Sequence, residues 1–574
     1  MPSARTVFRF FAGLLLAGHV VSAAAAELPA VFTRALKQAA IPLDHVAVVV
    51  QPLDADAPLI SHHADAALNP ASVMKLVTSF VALNQLGPNY VWKTDVWADG
   101  PIRDGVLEGD LVIKGHGDPG LTLERMWLLQ RELRGRGIRH IHGNLVLDLS
   151  DFELPASDPG AFDGEPLALY NAAPGALVAN FNATTLRLKP AGHAIEIEPE
   201  VALPGITIRS DIALTDDSAC NGWKDALVPD IPDPGRKELV VAGHYPRGCG
   251  DQTLSLNLFE PAVTFDILFR GLWAETGGTL DGQTVPGMAP DTPPLVRFES
   301  PPLTNALTLL NKYSNNLMTR NLFLTLGAEA YGAPATLDKG ARAVRADLTQ
   351  RGISTRKLVL ENGSGLSRIE RISAGALNQL LRAAYRSPLF AEFEAALPIA
   401  ATDGTLKRRF RGSPVAGKAH LKTGTLRDVS ALAGYVDAAD GRRVSVVMLV
   451  NHPKANRSEP AQRALLEWVQ EKMEPPAPGA HMTVDETPAW AAWRMQDAKD
   501  GAKPRCAAAP QALGWNRVRR ARPAASGHPS PECANRADGP SVRGPLPCPG
   551  GNARHTRSFG SASCKRSCSA FRYG

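Results

Sequence analysis

The chain has 574 residues, 44% of them hydrophobic, with 62 basic against 57 acidic side chains and a formal net charge of +5. That length allows several domains with ample core, and so small and diffuse a charge leaves no footprint for nucleic acid. The seven cysteines show no repeated C-x-x-C or Cys/His spacing, which excludes a zinc-ribbon framework.

Residues 1–26 have the makings of a secretory leader. Arg5 and Arg9 give a positive start, residues 10–17 an apolar core, and Ala24-Ala25-Ala26 a small-residue cleavage site before Glu27. The apolar run is too short to span a bilayer. These features predict a mature protein that begins near Glu27 and works in the periplasm.

Next comes Ser72-Val73-Met74-Lys75, after Asn69-Pro70-Ala71 and at the head of Val73, Leu76, Val77, Phe80 and Leu83 at helical spacing. The pattern sets a hydroxyl at the start of a buried helix with a lysine one turn on, on the same side. Residues 96–293 are dense in short strands and turns, with strands predicted over 106–114, 143–149, 184–188, 195–197 and 239–244. Within them Gly115-His116-Gly117-Asp118-Pro119-Gly120 fits G-x-G-x-x-G between a strand and a helix, and Asp148 follows on the next strand. A dinucleotide site is therefore one alternative. Against it, Pro119 lacks an N–H where phosphate needs donors, and only one such unit occurs. Cys220 and Cys249 would close a loop of about 30 residues in an oxidising compartment, worth roughly 3 kcal/mol; two free thiols are the alternative.

Ser314-Asn315-Asn316 falls at the break between helical stretches 303–312 and 317–326, where both polar side chains can project. Lys422-Thr423-Gly424-Thr425 lies on the first of three predicted antiparallel strands, followed by 431–436, an Asp440-Gly441 turn and 444–450. Decoys exist. Chance S-x-x-K should occur roughly once or twice in such a chain, and Ser354-Thr355-Arg356-Lys357 is one, set before the strand-like Leu358-Val359-Leu360. Ser255-Leu256-Asn257 mimics S-x-N inside a strand. From about Pro475 the chain turns rich in Pro, Ala, Gly, Ser and Arg and carries the other five cysteines. That composition predicts a disordered tail; a shifted reading frame is one origin for it, and its basic character allows weak contact with a membrane surface or wall polymer.

S-x-x-K, S-x-N and K-T-G in this order are the toolkit of active-serine enzymes that work on D-alanine ends or β-lactam rings. A serine is a weak nucleophile until a base takes its proton. No Ser-His-acid set and no G-x-S-x-G elbow is present, so Lys75 is the expected base. It must then be neutral, which burial, the helix N-terminus and the Lys422 ammonium all favour. Ser314 is expected to relay a proton to the leaving amine and Asn316 to hold the substrate's peptide carbonyl. Lys422 and Thr423 would receive the terminal carboxylate, Gly424 would admit the substrate backbone, and the N–H groups of Ser72 and Thr425 would form the oxyanion hole.

The ordered motifs resemble the penicillin-recognising serine D-Ala-D-Ala peptidases. The finer match is to the class C low-molecular-mass penicillin-binding proteins, the D-alanyl-D-alanine carboxypeptidase/endopeptidases. Roughly 240 residues separate Ser72 from Ser314, as in that family's long insertion. Gly115-His116-Gly117-Asp118-Pro119, Gly363-Ser364-Gly365-Leu366-Ser367-Arg368 and Asp403-Gly404-Thr405-Leu406 are similar too, and the resemblance covers residues 28–473. Asn315 departs from the family, where Asp is frequent, and so does Arg427, where a neutral polar residue stands.

The resemblance implies an α/β (α+β) fold, a discontinuous penicillin-binding/β-lactamase-like transpeptidase domain (27–95 and 294–475) with a mixed α/β and β-rich insertion (96–293). It implies Arg368 as an organiser of the pocket and Asp163, upstream of Tyr170-Asn171-Ala172-Ala173-Pro174, as partner of the free amine of the stem peptide's diamino acid. Peptidoglycan stem peptides would be the substrate and β-lactam antibiotics the inhibitors, with no cofactor. His62-His63 and His140/His142 lack the partners for a metal site. A β-lactamase, or a non-catalytic wall-binding protein that keeps the site as a relic, are the competing functions.

Overall fold

The computed structural model describes residues 27–232 and 238–472. The expectations for the leader and the tail lie outside the described residues.

A five-stranded antiparallel sheet organises the part of the chain that carries the three motifs, in the order Ala419–Leu426, Val429–Asp437, Arg443–Asn451, Val46–Pro52 and Ile60–His62. The strands are apolar nearly throughout because both faces are covered, and their period of two sorts the side chains into two cores. Val46, Val48, Val50, Val444, Val446 and Met448 face one side and pack with Phe32 and Leu36 of the helix Ala30–Gln38 and with Leu465 and Val469 of the helix Glu459–Lys472. Ala47, Val49, Ala431, Ala433, Val447 and Leu449 face the other, against the helices Lys75–Leu86, Leu303–Lys312, Asn316–Tyr331 and Ala374–Tyr385. The serine helix is thereby sealed in: every residue from Lys75 to Leu83 is buried.

Between Ser72 and Ser314 the chain forms a second, mixed sheet in the order Thr284–Pro286, Leu145–Asp148, Asp110–Gly115, Lys93–Asp99 and Val296–Glu299. Its first and last strands in the chain, Lys93–Asp99 and Val296–Glu299, pair antiparallel with each other, so the chain enters and leaves this sheet at neighbouring points. Helices Leu123–Gly135 and Pro261–Glu275 complete its core through Met126, Leu129, Phe265 and Phe269. A β-rich unit follows, with Thr184–Ala191 between Ala194–Pro199 and Gln252–Leu256, and Glu238–Pro246 between Thr207–Thr215 and Leu227–Asp230. Cys220 and Cys249 are joined there by a disulfide.

The 106–114 stretch forms two strands, Val106–Leu107 and Asp110–Gly115, because the chain turns through Gly109, whose Cβ would collide with the Asp99 carbonyl. Leu358-Val359-Leu360 is not a strand; Val359 makes a single bridge to Arg371. No helix among the described residues is long and apolar enough to cross a membrane.

Candidate active site

Ser72 lies in a short 3-10 turn, Ala71–Met74, that runs straight into the helix opened by Lys75. Asn69 shapes the turn. Its side chain accepts from Ala71 N at 2.8 Å and donates to the Ser367 carbonyl at 2.8 Å, while its backbone is held on both sides by Asn451. Ala71 takes φ +45°, a costly conformation for a residue with a Cβ. Two glycines make room for it. A Cβ on Gly365 would meet the Ala71 carbonyl oxygen at 1.8 Å, and one on Gly424 would meet Pro70 O at 2.5 Å and Ser72 N at 2.9 Å. Gly424 is thus required by the serine's own turn, a nearer reason than the approach of a substrate backbone, and it brings the strand of Thr423 and Thr425 against the Ser72 N–H.

The three motifs converge. Lys75 Nζ lies 2.9 Å from Ser72 Oγ, 2.6 Å from Asn316 Oδ1 and 2.6 Å from the Ser364 carbonyl oxygen. Lys422 Nζ lies 2.9 Å from Ser314 Oγ and 2.8 Å from the Thr423 carbonyl oxygen. Both lysines are fully buried. Burial, with the charges of Lys422 and Arg320 behind it, drives Lys75 well below the usual lysine range, and Glu370 opposes them. Burial alone brings Lys422 down to about 7.

Two of Lys75's three partners, Asn316 Oδ1 and the Ser364 carbonyl, can only accept. A neutral amine has two hydrogens and one lone pair. In that form its hydrogens would go to those two oxygens and its lone pair would face the Ser72 hydroxyl, the one partner that can also donate; an ammonium would instead donate to all three. The Asn316 amide cannot be turned round, because its Nδ2 donates to the Tyr170 carbonyl at 3.0 Å. One hydrogen of the atom expected to hold a substrate carbonyl is therefore already spoken for.

Ser314 takes φ +58° just before the helix Asn316–Tyr331. Asn315 caps that helix, its side chain accepting from Met318 N, a task Asp performs equally well. The hydroxyl of Ser314 is held by Lys422 rather than Lys75. Asp403 anchors Lys312, two residues upstream of Ser314, by an ion pair of 2.5 Å, and Thr405 Oγ1 sits 3.2 Å from Thr423 Oγ1. Thr423 is partly exposed and Thr425 exposed, on the accessible side of the strand.

Arg368 and Asp163 come together at the rim. The Arg368 guanidinium stacks 4.2 Å from the Phe162 ring and reaches Asp428, at the end of the K-T-G strand, at 3.5 Å. Asp163 accepts from the Tyr170 hydroxyl at 2.8 Å, from Asn171 Nδ2 at 2.9 Å and from Glu165 N at 3.2 Å. Tyr170 hence binds Asp163 with its side chain and Asn316 with its carbonyl. Arg427 is exposed.

Sequence reasoning gave no role to Asn69, Tyr170, Arg320, Asn321, Ser364 or Glu370. All but Glu370 act through contacts between segments far apart in the chain, and Glu370 acts through the backbone N–H groups of a nearby turn, which no local pattern signals. The glycine-rich loop at 115–120 is filled by protein: a Cβ on Gly115 would strike the Ala176 carbonyl and one on Gly117 the Phe152 ring, while Asp148 is engaged by Lys114, Ser150 and Ala289. Those glycines are there for packing. Among the described residues there is no group of three or more His, Cys, Asp and Glu placed to hold a metal ion.

Comparison with known proteins agrees with this geometry. The family model for D-Ala-D-Ala carboxypeptidase 3 (S13) matches residues 29–472. A D-alanyl-D-alanine carboxypeptidase of Actinomadura sp. (strain R39) is 32% identical over 402 residues, 67% of this chain and 73% of that relative. The carboxypeptidase DacB of Haemophilus influenzae is 27% identical over 388 residues, 66% of this chain and 80% of the relative. The crystal structure of penicillin binding protein 4 from Haemophilus influenzae superposes with a TM-score of 0.64 at 24% identity, over 77% of this chain and 100% of that one, so the two share a fold. With that match running unbroken through all three motifs and the insertion between them, the chain belongs to the D-Ala-D-Ala carboxypeptidase 3 (S13) family of serine hydrolases.

Proposed function

We propose that the protein removes the terminal D-alanine from peptidoglycan stem peptides, and opens cross-links between them, through an acyl-enzyme on Ser72. The observation that carries this reading is the three-way contact of Lys75 with Ser72, Asn316 and Ser364, which in the neutral amine would turn its lone pair toward the serine hydroxyl.

Ser72 Oγ attacks the carbonyl carbon of the penultimate D-alanine as Lys75 takes its proton. The developing oxyanion is met by the N–H groups of Ser72 and Thr425. Lys422 and Thr423 receive the terminal carboxylate, and the free hydrogen of Asn316 Nδ2 is available to a substrate carbonyl. The proton now on Lys75 is relayed through the hydroxyl of Ser314, which Lys422 holds, to the departing amine, which leaves as D-alanine or as the cross-linked chain. Water then attacks the ester and frees Ser72.

A β-lactam offers the same carbonyl and carboxylate, so penicillins would acylate Ser72 as well. We divide the chain into catalytic segments 27–95 and 294–475 and an insertion 96–293, which leaves Asp163 and Tyr170 on the insertion and Arg368 on the catalytic part. Asp163 then meets the free amine of the diamino acid and Arg368 steadies its loop. The substrate lies outside the inner membrane, where the leader-like residues 1–26 would send the protein.

The test is labelling with a fluorescent penicillin beside a Ser72→Ala control, followed by mass mapping. A stable adduct on Ser72, absent from the control, is expected, together with D-alanine release from a pentapeptide. Rapid turnover of the reagent would replace this reading by a β-lactamase. No reaction from folded protein would replace it by a wall-binding role.

A further inference from the structure

Glu370 is a completely buried carboxylate close to the site, and the steps above do not use it. Its Oε1 accepts the N–H groups of Glu361, Asn362 and Gly363 at 3.1, 3.0 and 2.8 Å, and its Oε2 accepts that of Gly365 at 2.9 Å. Four amide hydrogens aimed at one carboxylate amount to a fixed mould for the turn. The turn can close round it because Gly363 and Gly365 take φ +70° and +82°. A Cβ on Gly363 would also strike the Phe323 ring and Thr78 Oγ1, so that glycine is held from outside as well.

One residue of the turn does not give its N–H to Glu370. Ser364 N and Oγ both donate to Asn362 Oδ1, and the Ser364 carbonyl accepts from Lys75 Nζ at 2.6 Å. The carboxylate gathers its neighbours on either side and leaves the Ser364 carbonyl presented to the lysine. That carbonyl is one of the two pure acceptors that direct the amine's lone pair at Ser72.

We propose that Glu370 is a positioning residue of the reaction, which moulds the 361–365 turn so that the Ser364 carbonyl holds Lys75 in line with Ser72. This rests on Lys75 being the base. The second consequence is electrostatic. The charged groups that act on Lys75 are Lys422 from the K-T-G strand, Arg320 from the Asn316 helix, and Glu370; Glu370 and Glu361 act in turn on Arg320. The two cations favour the neutral amine and Glu370 favours the ammonium. Removing the charge of Glu370 alone should let Lys75 lose its proton at lower pH.

The experiment measures the rate of acylation by a fluorescent penicillin across pH for the full-length protein and for Glu370→Gln, Glu370→Asp and Lys75→Ala, with folding checked by circular dichroism. Gln keeps the shape, loses the charge and turns a donor toward the Gly365 N–H. Its acylation at the optimum is expected to fall on the order of 10²-fold, the scale for a misplaced reacting group, with the acid limb displaced to lower pH. Asp keeps the charge but is one methylene short, so its rate should fall with the limb in place. A Gln variant that is slow with an unmoved limb would reduce Glu370 to a fold-stabilising group and overturn the proposal. Wild-type rates and limbs in both variants, with Lys75→Ala inert, would overturn it and leave the base assignment standing. Near-normal acylation by Lys75→Ala would overturn the base assignment and this proposal with it. If the Gln variant does not fold, a wild-type rate in the Asp variant is enough to reject the role.

Discussion

The Arg320 guanidinium donates to the carbonyl oxygen of Ala172 at 3.0 Å and so ties the helix that opens with Asn316 to the inserted segment after Tyr170. The next residue, Asn321, completes the clamp. It is fully buried, accepts from Gly175 N at 3.2 Å, and donates to the carbonyls of Gly175 at 3.0 Å and Gly117 at 3.1 Å. Asn316 and Arg320 lie one turn apart on one face of the helix, and Asn321 follows Arg320 at the edge of that face. The start of this helix therefore holds Lys75, through Asn316, and the segments around Gly117 and Tyr170–Gly175, through all three.

Asn321→Ala would strand two carbonyls and an N–H, buried at Gly117 and partly buried at Gly175. An unpaired buried polar group costs roughly 1–3 kcal/mol, so the variant should lose on the order of 3 kcal/mol in urea unfolding and acylate more slowly. A loss under 1 kcal/mol would mean that the contacts are replaced by others and that the clamp is not what seats the insertion.

Lys422 makes a second prediction through its proton. In the native protein it is lowered to about 7 by burial, whereas an unfolded chain holds a lysine near its ordinary value of about 10.4. Between these limits the unfolded state binds a proton that the native state does not, so this group makes stability rise with pH from about 7 upward. Lys75 is shifted in the same direction and acts with the same sign. His116 works oppositely. Burial disfavours its charge, yet the carboxylates of Asp151 and Asp95 outweigh burial and raise its pKa, so its contribution is full below about 6.5 and fades as pH rises through the higher native value. A Lys422→Met variant isolates the first term. Urea unfolding at pH 6.5, 7.5 and 8.5 should show a flatter dependence than wild type, whereas parallel curves would contradict the downward shift of Lys422.

How much of this could be read from the sequence depended on the range of the interaction. The serine helix, the S-x-N break and the K-T-G hairpin follow local periodicity, and their residues meet because each motif sits at the end or turn of an element whose apolar face is unambiguous. The decoys failed on the same evidence: Ser354 has its N–H bonded to Gln379 and no helix beside it to carry Lys357. What was not legible was the frame around the site. Asn69, Ser364 and Asn321 act by bonding backbone groups from segments up to 382 residues apart, as between Asn69 and Asn451. Gly424 reads from the sequence as a glycine for the substrate backbone, and only the folded chain shows that it and Gly365 both make way for Ala71.

The disulfide Cys220–Cys249 gives a third prediction, one that separates stability from chemistry. It closes a span of 29 residues within the β-rich unit, where Cys249 packs with Leu186, Trp223 and Tyr245. Closing such a loop in the unfolded chain should contribute about 3 kcal/mol. A Cys220→Ser, Cys249→Ser protein should unfold at lower urea and still label on Ser72 at the wild-type rate. Slower labelling would mean that this unit bears on the cleft.

Asp163 carries the prediction that most directly concerns substrate choice. Its carboxylate already accepts three hydrogen bonds, from Tyr170, Asn171 and Glu165, and these aim it without neutralising it. Phe162, beside it, is held under Arg368, whose other contact is Asp428 on the K-T-G hairpin. The charge therefore hangs from a loop braced across the cleft mouth. Asp163→Asn preserves the shape and accepts one bond fewer, but loses the attraction for an ammonium. A charge-assisted hydrogen bond is worth roughly 1.5–3 kcal/mol, and about 1.4 kcal/mol is tenfold, so kcat/KM for a stem peptide with a free side-chain amine should fall on the order of tenfold or more. Acylation by a penicillin without an amine should not change, nor should turnover of the same peptide with its amine acetylated. The gap between free and acetylated peptide ought also to narrow as salt is added, because an exposed ion pair is screened. If Asp163→Asn slows both peptides equally, the residue shapes the loop and the amine is recognised elsewhere.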